Sequence, residues 1–192
     1  MQFPFEVIIV AEPDSMPELE AKFRGLENLV VIQNTKRLYR GPSVLQGLKK
    51  GRGKYLMPLV VDHAMPLAEI LVFLSAALEI EKNDPAPKDF LVIGNRYGVK
   101  KKRPGPRPPL RNFFEEVEQS KCAGLPVKDP LCPIFLMPKD TVRLLENAKL
   151  KRWFYTPAVL AKILSEDISV TEVDIHYFDT VETRFSFWQA LL

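Results

Sequence analysis

Short, continuously apolar runs alternate with helix-length segments through the first half of the chain, and this alternation limits the fold more than any other feature. FEVIIVAEPD is a β-branched run stopped by Pro and Asp, and SMPELEAKFRGL follows with helix-start signals: Ser15 as a cap, Pro17 and acids in the first turn. NLVVIQN is a second run, after which RGPSVLQGLKKGRG places Val44, Leu45 and Leu48 at helical spacing before a glycine-rich exit. YLMPLVV is the third run, LAEILVFLSAALEIEKN a long apolar helix bounded by Asp84 and Pro85, and FLVIGNRY the fourth run. Strands with no solvent-facing side are what a parallel sheet covered on both faces requires. Residues 1–97 therefore read as an open α/β sheet.

The pattern changes after residue 97. GVKKKRPGPRPPLR (98–111) is too rich in Pro, Lys and Arg for either element, and 98–112 reads as an exposed basic loop. Residues 113–192 form a smaller, mixed half. NFFEEVEQSK reads as a helix, PIFLMP as a short strand, and KDTVRLLENAK as a helix capped by Asp140 with Val142, Leu144 and Leu145 inward. WFYTPAVLAKILSE is another helix, ISVTEVDIHYFD alternates as a strand, and RFSFWQALL is an amphipathic close. With 192 residues, 46% hydrophobic, the chain can bury one sizeable core, and a single domain over 1–192 is expected.

Charge narrows the partners. The net charge of +3 is small, but KKGRGK (49–54) and KKKRPGPRPPLR (100–111) hold much of the excess, so local anion binding fits better than a general polycation. No aromatics are interleaved in these clusters, which disfavours stacking on bases; no nucleic-acid partner is expected. No apolar run reaches the length of a membrane span and no basic leader precedes MQFPFEVIIV, so a soluble, unprocessed chain is expected. Cys122 and Cys132 lack metal-site or disulfide-framework spacing, which fits a reducing cytoplasm. Seventeen prolines against nine glycines lean toward rigid loops and a thermophilic character.

Open α/β sheets bind ligands beyond the carboxyl ends of their strands, and Asp62, Asn95 and Arg96 fall at such ends. An acid there either contacts a ligand or accepts backbone N–H bonds, and an arginine either meets phosphate or forms an ion pair. Both readings of each are open on this ground alone. Glycines 41, 47, 51 and 53 lack the arrangement of a phosphate cradle and read as close packing and turns.

Several stretches in order resemble the family 2 glycosyltransferases of GT-A fold, in the branch of dolichol-phosphate mannose synthase and dolichyl-phosphate glucosyltransferase. RGPSVLQGLKKGRGKYL is similar to that family's GxGxAxxxGxxxAxGxYx pattern, FLVIGNRYG to DxVIGSRY, AGLPVKDPLCPIFLMPKD to GLxVxDxxCGFKLFRRD, and ISVTEVDIHYFD to IxEVPVxWxD. The resemblance runs from about residue 6 to 179 and implies a mostly parallel, Rossmann-like sheet flanked by helices, with 1–97 as the nucleotide-binding half and 113–192 as the acceptor half.

The resemblance also implies roles. Asp62 stands at the second acid of the family's DxD motif and would hold Mg²⁺ or Mn²⁺, Val60 standing at the first. FEVIIVAEPDS is similar to the family's second strand unit, with one strand and helix missing before it, so the resemblance implies that FEVIIV pairs directly with YLMPLVV. Ala11 and Glu12 replace a pair of nucleotide-contacting acids, leaving Glu12 on the nucleotide. Arg40 and Arg96 would neutralise phosphate charge, and Asp129 would orient or deprotonate the acceptor. Pro133 and Phe135 replace the glycine and basic residue of the GFK segment, and Thr156 and Ala158 replace acids farther on. The activity implied is hexose transfer from a UDP- or GDP-linked sugar to a lipid-phosphate or other phosphate-bearing acceptor, with peripheral membrane contact through 100–111. The distributed loss of acids sets beside it a second reading, a noncatalytic GT-A module acting as partner or regulatory subunit.

Overall fold

The computed structural model describes residues 4–13, 25–60, 64–84, 89–99, 122, 124–146, 148, 150 and 154–178. The helix expected over SMPELEAKFRGL, the helix over NFFEEVEQSK, the basic run 100–111, Asp62, His63 and the closing RFSFWQALL lie outside them, in whole or nearly so.

The run FLVIG, closed by the polar Asn95, owes its unbroken apolarity to its place. It forms β4 (Leu91–Asn95), buried at every position, between β5 (Phe135–Pro138) and β6 (Val170–Asp174). β3 (Tyr55–Leu56) completes the sheet in the order β3-β5-β4-β6. β4 and β6 run parallel, with Leu91 opposite Val170 and Asn95 opposite Asp174, while β5 is antiparallel to both β4 and β3. A strand from late in the sequence thus sits between two early ones, and the two halves share one sheet. β1 (Val7–Ala11) and β2 (Leu29–Gln33) form a separate parallel pair, Val7 opposite Leu29 and Ala11 opposite Gln33.

Three expectations are corrected here. β1 pairs with β2, and no hydrogen bond joins it to β3 among the described residues. YLMPLVV is strand only at Tyr55–Leu56, in register with Pro138 and Met137; Pro58, which has no N–H to donate, comes one residue beyond the strand, and 57–60 leave the ladder. A continuous apolar run records burial, not pairing. The segment KDTVRLL is a run of 3₁₀ turns (Lys139–Leu145) that begins after Pro138, and Asp140 lies in its first turn without capping it, while Val142 and Leu145 point inward as expected.

The helices cover the sheet. α1 (Arg40–Lys50) packs on β1, α2 (Ile70–Asn83) buries Phe73 and Ala77 one turn apart beneath β4, and α3 (Tyr155–Leu164) buries Val159, Leu160 and Ile163. Each large side chain so buried contributes roughly 1.5–3 kcal/mol. The glycines are packing devices. A Cβ at Gly41 would collide with the backbone carbonyl of Leu150, one at Gly47 would come within 3.3 Å of Val10 Cγ2, and one at Gly94 would meet Ile175, Cys132 and Phe73 at 2.8–3.1 Å.

These contacts separate two substitutions of like chemistry. Gly41→Ala must move backbone, and its cost is expected to be about 1–3 kcal/mol. Gly47→Ala meets only a side-chain methyl and gains helix propensity, so its change should stay within roughly 1 kcal/mol of zero. Urea denaturation midpoints at unchanged m-value measure both; equal shifts would contradict this reading.

Candidate active site

The carboxyl ends of β4 and β6 lie side by side, and the last residues of each strand turn their polar groups toward one another. Asn95 Nδ2 donates to Asp174 Oδ1 at 2.8 Å, and Asn95 Oδ1 accepts from the Tyr97 N–H at 2.9 Å, which bends the chain immediately after β4. Gly98 lies against the Asp174 carboxylate, where a Cβ would not fit. Arg96, at the head of this turn, is locked onto Asp129. Its backbone N–H donates to Oδ2 at 3.0 Å, Nε to Oδ2 at 2.7 Å and Nη2 to Oδ1 at 2.8 Å.

Asp129 is fully buried and the Arg96 side chain is 11% exposed, so the pair is of the kind that must be matched to exist at all. Burial, the largest influence on Arg96, works against its charge, but the hydrogen bonds and charge of Asp129 outweigh it and hold the guanidinium pKa well above its usual value. Among the described residues Nη1 makes no hydrogen bond, and it keeps its donors. The rings of Tyr97 and Tyr177 stand 5.7 and 5.5 Å from the guanidinium carbon.

The loop that carries Asp129 is built locally and then fastened. The Cys132 N–H donates to the Asp129 carbonyl at 3.1 Å, closing a turn with Pro130 in the position where its fixed φ is favoured. Glu172 Oε1, on β6, accepts from the backbone N–H groups of Lys128 at 2.8 Å and Asp129 at 3.0 Å. Cys132 is sealed beneath; burial pushes its thiol up to about 12.

Farther along the same strand direction, His176 Nδ1 lies 2.8 Å from Glu69 Oε1 and donates to it, and the Phe178 N–H donates to the Ala64 carbonyl at 2.6 Å. These two bonds pin the residues that follow 61–63 to the extension of β6. Glu12 and Arg40 belong to a second group. Glu12 Oε2 accepts from the Leu38 N–H at 3.2 Å, and the Arg40 guanidinium lies 5.8 Å from the ring of Tyr155. Tyr155 in turn donates its hydroxyl to the Pro133 carbonyl at 2.6 Å, so Arg40 and Asp129 are connected through the 129–133 turn. Tyr39, between Leu38 and Arg40 in the chain, holds φ at 64°, a conformation that costs a non-glycine residue of order 1–3 kcal/mol.

No family profile matches the chain. Two curated proteins are similar to it over nearly its whole length: dolichyl-phosphate β-glucosyltransferase ALG5C of Trichomonas vaginalis, 24% identical over 190 residues, and dolichyl-phosphate β-glucosyltransferase of Dictyostelium discoideum, 24% identical over 188. These alignments cover 95% and 92% of this chain but 56% of each relative, so the chain spans just over half their length. Among solved structures, glucosyl-3-phosphoglycerate synthase of M. tuberculosis superposes with a TM-score of 0.56 at 12% identity, covering 95% of this chain and 63% of that one. TarS of S. aureus superposes with a TM-score of 0.55 at 19% identity, covering 93% and 52%. The chain has the GT-A fold. The resemblance to family 2 glycosyltransferases read from the motifs holds in sequence and in architecture.

On this GT-A frame, Arg96 and Asp129 are brought into contact, Glu12 and Arg40 flank the start of α1, and Asp62 lies outside the described residues. Among the described residues no cluster of three His, Cys, Asp or Glu side chains could hold an ion, and no helix is long and apolar enough to cross a membrane. A surface groove of about 580 Å³, lined by Lys49, Lys139 and Arg143 among others, shares no residue with the Arg96 cluster. Sequence reasoning passed over Glu172 and Asp174. The signal was present in EVD, since acids two apart on a strand point to one side, but what they would bond was not legible.

Loss of Asp129 should be costly. Asp129→Ala leaves a buried guanidinium unmatched and is expected to lower stability by about 3–5 kcal/mol in denaturation; a loss below about 1 kcal/mol would contradict the buried pair. Cys132 makes a second test. Because its pKa rises on folding from 9.0 to about 12, the folded state keeps a proton that the unfolded state releases in that window. Relative to Cys132→Ala, stability should fall as pH rises from 9.0 toward 12, and thiol reagents at pH 8 should label Cys132 only on unfolding. A difference between the two proteins that does not change with pH would be the contrary result.

Proposed function

We propose that the chain transfers a hexose from a UDP- or GDP-linked sugar to a phosphate-bearing acceptor, with Arg96 as the group that meets phosphate. The observation that carries this reading is the Arg96 fork. It stands at the carboxyl end of a buried strand, locked in charge and direction by Asp129, with Nη1 still able to donate. The sequence similarity to two dolichyl-phosphate β-glucosyltransferases supports the acceptor class.

The occupancy of Asp129 fits this chemistry. Both its oxygens are engaged by Arg96, which leaves it poorly placed to take a proton from an acceptor hydroxyl. A phosphate monoester acceptor needs no such base, since most of it carries a second negative charge at neutral pH, its second pKa being about 6. Its oxygen attacks the anomeric carbon, the bond from that carbon to the diphosphate oxygen breaks, and the electron pair leaves with the nucleoside diphosphate in one inverting displacement. Arg96 lowers the barrier by holding phosphate charge in a preorganised, largely desolvated position. Asp129 thereby acts through Arg96, while Glu12 and Arg40 contribute at the nucleotide end. A divalent cation at Asp62 and contact of the 100–111 run with an anionic membrane belong to the same proposal.

Calorimetry with UDP, GDP and their glucose and mannose derivatives, with and without Mg²⁺ or Mn²⁺, tests it. Binding of at least one diphosphate is expected, with Arg96→Lys weakening it by roughly tenfold because the planar fork is lost. Absence of binding across the set would end the glycosyltransferase reading and leave that of a noncatalytic module.

A further inference from the structure

We infer that Glu172 is a positioning residue for Arg96, although no hydrogen bond joins it to that side chain. The functional consequence rests on the phosphate role proposed above; the structural part stands on geometry alone. Arg96 takes its direction from Asp129, and Asp129 takes its own from the backbone at 128–129. That backbone is held to the sheet by Glu172, whose Oε1 accepts two successive N–H groups at 2.8 and 3.0 Å. Glu172 is paired in register with Ile93 on β4, three residues before Arg96. Both members of the ion pair are thus referred to the same two strands, Arg96 through β4 and Asp129 through β6.

The next inward-bonding residue of β6 repeats the device. Asp174 holds Asn95, which holds the Tyr97 N–H, so the residues on either side of Arg96 are fixed from the same strand. Glu172 is only half-buried and is not part of the hydrophobic core, and Lys128 is exposed. Water can therefore replace part of what Glu172 gives to the loop backbone, but water cannot fix the direction of Asp129. Removal of the carboxylate should loosen the pair more than it loosens the fold.

The test uses Glu172→Ala, Glu172→Gln, which keeps an acceptor oxygen at the same reach, and the shorter Glu172→Asp. The NMR signal of the Arg96 Nε–H, assigned by its loss in Arg96→Lys, reports the ion pair without reference to any ligand. Its exchange with solvent should quicken by roughly tenfold or more in Glu172→Ala, stay near the wild-type rate in Glu172→Gln and lie between in Glu172→Asp, while core methyl signals keep their positions. Unchanged exchange in Glu172→Ala overturns the inference; if that variant does not fold, unchanged exchange in Glu172→Asp does so equally. Titration with UDP or GDP supplies the second arm: affinity should fall in Glu172→Ala, recover in Glu172→Gln, and be insensitive to Glu172→Ala once Asp129 is Asn. Wild-type protein that binds neither nucleotide removes the phosphate role and leaves the exchange result to decide the geometry. Binding that is equal in wild type and Glu172→Ala removes the inference alone.

Discussion

A guanidinium and a carboxylate buried together make the demand that the rest of this structure meets. Removing either charge from water costs several kcal/mol, and only close, multiply bonded geometry returns it. Arg96 and Asp129 satisfy this with a two-pronged contact and a third bond from the Arg96 backbone. The requirement spreads outward. Asp129 must sit at a defined point beside β4, so its loop is closed at Cys132 and tied to Glu172; Arg96 must leave β4 at a defined angle, so Asn95 and Asp174 bend the chain and Gly98 gives the carboxylate room. The parallel register of β4 and β6 makes all of this local to one edge of the sheet.

Much of the fold was legible because burial writes itself directly into sequence. FLVIG is apolar throughout and is buried throughout, and the spacing of Val44, Leu45 and Leu48 gave α1 and its inward face. The failures have a common cause. YLMPLVV is as apolar as β4, yet only two of its residues pair, since lining a core and joining a ladder leave the same composition. FEVIIV carries no mark of which strand it adjoins, and β1 lies against β2 instead of β3. Partners are set by tertiary packing, which a short segment does not encode.

The site was legible to a different depth. Arg96 was marked by motif context and strand-end position and Asp129 by motif context alone, but their mutual contact joins residues 33 apart in sequence and is set by tertiary packing. Glu172 and Asp174 looked like the polar face of an alternating strand. Their bonds show that the face is spent on holding two loops, so β6 is as much a part of the site as Arg96, to which it makes no hydrogen bond. Pro133 accepts the Tyr155 hydroxyl through its backbone carbonyl and carries the contact from the Asp129 loop toward Arg40; a glycine there would offer the same acceptor, so this bond does not depend on the proline.

The central claim is that the Arg96 fork, held by Asp129, is where a phosphate group binds. A crystal structure of the protein soaked with UDP or GDP tests it most directly. A phosphate oxygen within about 2.7–3.0 Å of the Arg96 guanidinium, with Asp129 still gripping its other edge, is the predicted result. A diphosphate seated instead in the groove of Lys49, Lys139 and Arg143, with Arg96 left bare, would contradict it.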